Sequence, residues 1–229
     1  ATGGSGNGRN DIPSDRSTTL GRALDIGAGT IRADPLFTAK RVNLSVPSEV
    51  RSVAEPDMSM LVECVPNFSE GRDAAVIRGI TAEIEAVRDV TLLDVDPGED
   101  TNRTVITFVG PPEAVVEAAF RAGKRAAETI DMTQHHGSHA RMGAMDVCPF
   151  VPVAGVTMAD CVALARECGR RIGDLGIPVY LYEHAATSPS RKNLAAVRAG
   201  EYEGLASRLA QPEWRPDFGP TRPNPLTGA

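Results

Sequence analysis

The chain has 229 residues with 24 basic and 30 acidic side chains, and 41% of its residues are hydrophobic. A chain of this length and composition can bury at least one ordinary core. Its formal net charge of -6 argues against nucleic-acid binding, which depends on clustered Lys and Arg that displace counterions from phosphates. No run of residues approaches the roughly 20 apolar positions that a bilayer-spanning helix needs. We therefore expect neither a nucleic-acid partner nor a membrane span.

The four cysteines are too few for a disulfide scaffold in a chain of this length, and no CxxC pair is present. We interpret all four as reduced thiols and expect a cytoplasmic protein. Residues 1–57 scatter Gly, Pro, Ser and Thr without a repeating apolar face, so burial cannot offset their ordering entropy. They are predicted to be a disordered N-terminal extension or the result of a mis-chosen start, with Met58 or Met60 as the true beginning.

From Leu61 onward, strand and helix patterns alternate. β-Branched and apolar runs predict strands, while apolar residues at helical spacing after the caps Ser69 and Thr157 and after a Pro-Pro pair predict helices. The predicted strands cover residues 61–66, 90–95, 104–109, 147–153 and 177–182. The order β-α-β-β-α-β, followed by α-β, predicts an α/β (α+β) fold of the split βαβ, ferredoxin-like kind, with helices on one face of a mixed sheet. The open face is expected to receive a second subdomain or subunit.

The last forty residues change character twice. Residues 190–210 predict a further helical pair, broken near Ala199 and Gly200, and five prolines between residues 212 and 225 then end regular structure. We therefore predict a domain over residues 58–210. Residues 211–229 are predicted to be a proline-rich linker toward a C-terminal subdomain that is missing here.

Three of the four histidines lie in one polar loop, residues 131–146. Loops held by rigid elements commonly carry catalytic groups, and the pKa of an unperturbed histidine lies close to neutral pH. The alternative is a surface loop with incidental imidazoles. A zinc site on His135 and His139 is a further alternative, but Gly137 between them weakens a helix and no Glu follows the first His as in HExxH. We expect no metal.

A second polar cluster lies at the turn between the strands 90–95 and 104–109. It contains four carboxylates, of Asp94, Asp96, Glu99 and Asp100, followed by Asn102 and Arg103. Acidic turns are often merely solvated. In the functional alternative, one carboxylate orients a histidine or accepts a cationic substrate nitrogen.

Four ordered segments together resemble the glutamate formiminotransferase family. They are LVECVPNFSEGR (61–72), LLDVDPGEDTNRTVITFVGPP (92–112), HGSHARMGAMDVCPFVPV (136–153) and VYLYEHAA (179–186). The resemblance runs from about Met60 into the tail. It implies transfer of a formimino group from N-formiminoglutamate to N5 of tetrahydrofolate in histidine degradation, although some members move a formyl group. It also implies two α/β subdomains packed sheet against sheet, of which the first is present here.

The resemblance implies that His139 is the catalytic histidine, acting as general base and then general acid. We assign Asp96 to orienting that imidazole or stabilising the cationic amidine, and Arg141 to a substrate carboxylate. Further substrate-binding residues are predicted at Asn67, Asn102, Arg103 and His135. Two departures from the family are Ala140, where Pro is usual, and Glu183-His184, where Gly-Glu is usual.

Tetrahydrofolate would act as a co-substrate, and no metal is required. The expected partners are N-formiminoglutamate, folate and a C-terminal subdomain supplied in cis or in trans, within a homodimer. Two alternatives remain open beside formimino transfer: a folate-binding module without turnover, and formyl transfer from N-formylglutamate.

Overall fold

The computed structural model describes residues 60–229, so the predicted extension, residues 1–57, lies outside the described residues. The strands are β1 (Leu61–Cys64), β2 (Asn67–Phe68), β3 (Thr91–Gly98), β4 (Arg103–Gly110), β5 (Met145–Val147) and β6 (Phe150–Ala154). The helices are α1 (Ala74–Glu85), α2 (Pro112–Thr129), α3 (Met158–Asp174), α4 (Leu194–Arg198) and α5 (Glu201–Leu209). No helix within residues 60–229 has the length and apolar character needed to cross a bilayer.

The strands form one sheet in which β1 and β2 lie end to end beside β4. On their other side β6 pairs with β1 and β5 pairs with β2, while β3 pairs with the far edge of β4. This order confirms the split βαβ arrangement, but every one of these pairings is antiparallel, so the predicted mixed sheet is wrong. The reason is that α1 connects β1 to β3 with β4 lying between them, and α2 connects β4 to β6 with β1 between them. Strands that run in the same direction are therefore never neighbours.

One face of the sheet packs against the long helices. Residues of β4 alternate between buried and half-buried positions, and the buried Ile106 and Phe108 lie in the same core cluster as Val62 and Cys64 of β1. Helix α2 contributes a row of fully buried alanines to that core, at positions 118, 119, 122 and 126. Small side chains let a helix backbone lie close to the sheet, and the burial of the larger strand residues then supplies most of the stabilisation.

The opposite face of the sheet carries exposed apolar residues. Val151 and Val153 alternate along β6 with the buried Phe150, so they point away from the helices, and Val153 remains 53% exposed. We refer to this side of the sheet as the open face. It is the face on which the sequence predicted a second layer.

The predicted helix caps differ in outcome. Thr157 caps α3 as expected, in a capping box with Asp160. Helix α1 instead begins after Asp73, whose carboxylate accepts hydrogen bonds from two backbone N–H groups of the first turn. Ser69 is buried, and its hydroxyl donates to the carbonyl oxygen of Gly143 at 2.7 Å. This bond holds the residues just before β5 against the residue that follows β2.

The chain after α3 departs most from the prediction. Residues 177–182 form no strand; Val179 makes a single bridge with Phe218 of the tail. The tail, residues 211–229, packs back on the domain, and its predicted role as a linker to a second subdomain stays a prediction. The N–H groups of Met132 and Ala144 both donate to tail carbonyl oxygens, at 2.8 Å. The predicted helical pair is confirmed as α4 and α5, separated at Gly200, whose φ of 87° suits glycine.

Candidate active site

The candidate site lies on the open face, at the end of the sheet where β3 turns into β4. Asn67 of β2 and Asp96 of β3 both lie opposite Val105 of β4, so the three side chains share one face. Arg103 precedes Val105 by two residues and therefore lies on the same face. The histidine loop, residues 131–146, brings His139 against Arg103. The structure thus brings together four of the seven residues that the sequence predicted.

The hydrogen-bond partners of His139 define its tautomer. Nδ1 lies 2.6 Å from the carbonyl oxygen of Ala140, which can only accept, and Nε2 contacts a guanidinium nitrogen of Arg103, which can only donate. These partners assign a proton to Nδ1 and the lone pair to Nε2. The side chain is half-buried. Chemically, Nε2 is the atom that can accept a proton.

Arg103 joins His139 to the sheet. One terminal nitrogen contacts His139 and the other donates to Oδ1 of Asn67, while Nδ2 of Asn67 donates to the carbonyl oxygen of Val65 at 2.8 Å. Burial lowers the pKa of Arg103; the charge of Asp146 opposes this shift and that of Arg198 adds to it. His139, Arg103 and Asn67 therefore form one connected polar chain on the open face.

Asp96 is exposed, and within residues 60–229 no hydrogen bond connects it to His139. The prediction that Asp96 orients the imidazole is not supported, because Ala140 and Arg103 occupy both ring nitrogens. The second role predicted for it, stabilising a cationic amidine, remains a prediction.

Asn102 and His135 hold the loop instead of facing the open side. Asn102 has a φ of 49°, a conformation that Asn tolerates, and its side-chain amide accepts from the N–H of Gly71 and donates to the carbonyl oxygen of His136. His135 is buried, and its Nε2 lies 2.8 Å from the carbonyl oxygen of Asn102. The polar side-chain atoms of both residues are engaged within the domain. The substrate contacts predicted for them do not fit this arrangement.

Arg141 connects the histidine loop to helix α5. It is 7% exposed; its Nε donates to Nδ1 of His135, and its terminal nitrogens donate to Glu201 at 2.9 Å and to Glu203 at 2.7 Å. The pKa of Arg141 is raised, chiefly by the hydrogen bond to Glu203. Both terminal nitrogens are already paired, so the substrate-carboxylate role predicted for Arg141 does not fit. The structure gives it the role of tying α5 to the loop.

An ion pair that the sequence analysis did not identify lies behind the site. The carboxylate of Asp146 is 1% exposed, accepts from the N–H of Met142 at 2.8 Å and pairs with Arg198. Arg198 gave no sequence signal because its partner lies 52 residues earlier in the chain. In the part of the chain that the structure describes, no three His, Cys, Asp or Glu residues are grouped so as to hold a metal ion.

The fold and this cluster define an α+β domain that carries a histidine-centred polar site on one uncovered sheet face. The family model described as "Formiminotransferase domain, N-terminal subdomain" matches residues 61–229. The chain belongs to this family. The match includes the tail that packs on the domain.

Relatives with this domain include enzymes of two lengths. The formimidoyltransferase-cyclodeaminase of Dictyostelium discoideum is 56% identical over 173 residues, which cover 75% of this chain and 32% of that protein. The protein of the same name from Sus scrofa gives the same identity and coverage. The glutamate formimidoyltransferase of Streptococcus pyogenes serotype M1 is 48% identical over 172 residues, covering 75% of this chain and 58% of that protein. The chain thus spans about a third to under two thirds of these relatives' lengths.

Proposed function

We propose that this protein transfers a formimino group from N-formiminoglutamate to N5 of tetrahydrofolate, with His139 as general base and general acid. The observation that carries the proposal is the half-buried imidazole of His139, whose Nε2 lone pair lies among polar residues on the open face. The names of the relatives, which describe formimidoyl transfer, support the same reaction.

The proton transfers follow from the tautomer of His139. The contact of Arg103 with Nε2 first opens. N5 of tetrahydrofolate then attacks the amidine carbon of the donor and loses a proton to Nε2. The bond from that carbon to the glutamate nitrogen breaks as Nε2 returns the proton to that nitrogen. The carbonyl oxygen of Ala140 accepts the hydrogen bond from Nδ1, so Nε2 is the ring nitrogen that accepts the incoming proton. Acid-base catalysis by one positioned histidine contributes roughly 10² to 10⁴ in rate.

The other groups of the open face have supporting roles. The exposed carboxylate of Asp96 stabilises the positive charge of the protonated amidine, which is itself electrophilic enough to react without a metal. A second α/β subdomain, in cis or in trans, covers the exposed Val151 and Val153 and completes the cleft. Tetrahydrofolate binds in that cleft as co-substrate, and the active unit is a homodimer.

The test compares His139→Ala with His136→Ala in protein supplied with the second subdomain. His136 is exposed in the same loop, so it is a matched control for loop disturbance. We expect kcat of formimino transfer to fall by about 10² to 10⁴ for His139→Ala and to change little for His136→Ala. Full activity of His139→Ala refutes the proposal. Saturable tetrahydrofolate binding without product in the unaltered protein shows a folate-binding module, and preference for N-formylglutamate shows formyl transfer.

A further inference from the structure

The tail contacts the histidine loop near both of its ends. The N–H of Met132, at the start of the loop, donates to the carbonyl oxygen of Leu226 at 2.8 Å. The N–H of Ala144, near the end of the loop, donates to the carbonyl oxygen of Thr227 at the same distance. Two consecutive tail residues therefore hold the two ends of the loop together. We refer to the part of the tail that contains them, residues 224–229, as the closing segment.

Two glycines allow the closing segment to lie directly against the loop. Gly228 and Gly143 form a backbone bridge, and the N–H of Ala229 donates to the carbonyl oxygen of Met142 at 3.2 Å. A Cβ on Gly228 would lie 2.0 Å from that same carbonyl oxygen, and the φ of 74° at Gly228 is a conformation that glycine adopts readily. A side chain at this position would therefore push the closing segment away from the loop.

The first residue of the closing segment sets the direction of its backbone. Oδ1 of Asn224 accepts from the N–H groups of Leu226 and Thr227, at 3.1 and 3.3 Å. The N–H of Thr227 and the carbonyl oxygen of Leu226 belong to one planar peptide group and point in opposite directions. The side chain of Asn224 therefore fixes the direction of the carbonyl oxygen that binds Met132.

His139 lies between two supports of the loop. On its N-terminal side, the side chain of Asn102 donates to the carbonyl oxygen of His136. The N–H of Ser138 also donates to the turn before β4, at 3.3 Å. On its C-terminal side, helix α5 and the closing segment hold the backbone, the latter from Met142 onward. The position of the imidazole is therefore expected to depend on the closing segment as well as on the turn.

We propose that the closing segment positions His139, with Asn224 and Gly228 acting through the base of the histidine loop. This inference rests on the proposed function and deepens it, because it assigns part of the catalytic arrangement to the tail. A catalytic group that is misplaced by about 1 Å can lose roughly 10² in rate. The contribution of the closing segment therefore falls on the chemical step, and Asn224 and Gly228 are positioning residues.

Two pairs of variants separate this role from a general effect on the fold. Gly228→Ala tests the close approach, and Gly176→Ala is its matched control. Gly176 has a φ of 82°, so alanine meets similar backbone strain there, but its Cβ would meet no atom of residues 60–229 within 4 Å. In the second pair, Asn224→Ala removes the acceptor for the two N–H groups of the closing segment, whereas Asn224→Asp retains it.

Hydrogen exchange measured by mass spectrometry follows the amides of residues 131–146 in the full chain. The rates are expressed relative to those of peptides from α2, so that a global loss of stability cancels. We expect relative exchange at Met132 and Ala144 to rise by about tenfold in Gly228→Ala, the factor that corresponds to the loss of one buried hydrogen bond. Asn224→Ala should give a smaller rise, and Gly176→Ala and Asn224→Asp should match wild type.

The 15N NMR spectrum of histidine-labelled chain then shows whether the change reaches His139. Its signals, assigned through their loss in His139→Gln, should shift in Gly228→Ala and Asn224→Ala and keep their wild-type positions in both controls. Relative exchange in Gly228→Ala equal to that in Gly176→Ala overturns the proposal. Unchanged His139 signals in a variant whose loop exchanges faster overturn it too. If Gly228→Ala does not fold, Asn224→Ala compared with Asn224→Asp decides.

Neither measurement requires turnover, so the two proposals fail separately. In protein supplied with the second subdomain, Gly228→Ala should lower kcat by up to roughly 10² and leave KM for both substrates close to wild type. An equal loss in Gly176→Ala, or a loss confined to KM, overturns the positioning role. An unaltered protein without transfer activity refutes the proposed function and leaves exchange and NMR to decide the role of the closing segment.

Discussion

Replacing Arg141 with Met tests whether this side chain stabilises the histidine loop. Methionine keeps an apolar stem of similar length but removes every donor to His135, Glu201 and Glu203. Breaking a buried ion pair ordinarily costs 3–5 kcal/mol because one charge is left stranded in the interior. Here the side chains of Glu201 and Glu203 are 43% and 64% exposed, so both carboxylates regain water and that penalty does not apply.

The cost that remains falls on His135. Its Nδ1 and its carbonyl oxygen both accept from Arg141, and the residue is buried. A buried acceptor left without a donor costs about 1–3 kcal/mol, so we expect Arg141→Met to lower the free energy of unfolding by about 2 kcal/mol. Glu203→Gln, which alters only an exposed partner, should cost less than about 1 kcal/mol.

Urea unfolding measures both values through the fluorescence of the single tryptophan, Trp214, with linear extrapolation and an unchanged m value as the check on two-state behaviour. Arg78→Met is the control for removing an arginine from the surface. A loss below about 0.5 kcal/mol for Arg141→Met, the range of ordinary surface substitutions, contradicts the reasoning. So does an equal loss for Glu203→Gln.

Three further predictions concern stability and are measured by the same unfolding assay. A Cβ at Gly137 would lie 2.1 Å from the carbonyl oxygen of Thr101, so Gly137→Ala should lower the free energy of unfolding by about 1–3 kcal/mol. A Cβ at Gly204 in α5 meets no atom within 4 Å, so Gly204→Ala should stabilise the protein by up to about 1 kcal/mol. Equal effects of the two substitutions refute this reasoning. Glu183 has a φ of 50°, so Glu183→Gly should not destabilise and should add up to about 1 kcal/mol; a clear loss contradicts this. Burial raises the pKa of Tyr180 to about 12, so the folded state retains a proton that the unfolded chain releases near pH 10. The free energy of unfolding should therefore fall between about pH 10 and 12, and it should fall less steeply in Tyr180→Phe. Identical slopes in the two proteins refute this prediction.

The sequence predicted those parts of the fold that depend on local periodicity. The helices over residues 74–85, 112–129 and 158–174 follow one apolar face each, and the break at Gly200 follows from one residue's conformational freedom. The segment 177–182 shows the limit of this reasoning. Its apolar run predicts a strand, but Pro178 lacks an N–H, and burial under the tail satisfies the same hydrophobicity without a ladder. Proline content predicted a linker over residues 211–229, but it could not show that long-range contacts hold this segment on the domain.

The site was predictable as a set of residue types but not as a set of contacts. The histidine loop and the turn before Arg103 were both identified, since each concentrates polar residues between apolar elements. A sequence shows that Arg141 carries a charge, but its partners lie 60 and 62 residues later, and only the fold brings them together.

Arg141 and Arg103 differ in what they contact: Arg141 holds the histidine loop, whereas Arg103 contacts the candidate base, His139. Around Arg141, the polar atoms of Asn102 and His135 are paired within the domain, which is the condition for a rigid support. Around Arg103 the pairing is incomplete, and the unsatisfied group lies beside the imidazole on the open face. Substitutions at Arg141 should therefore change the free energy of unfolding and reach His139 only through the loop. Substitutions at Arg103 should act on His139 directly, because they remove the donor to its Nε2 together with the donor to Oδ1 of Asn67.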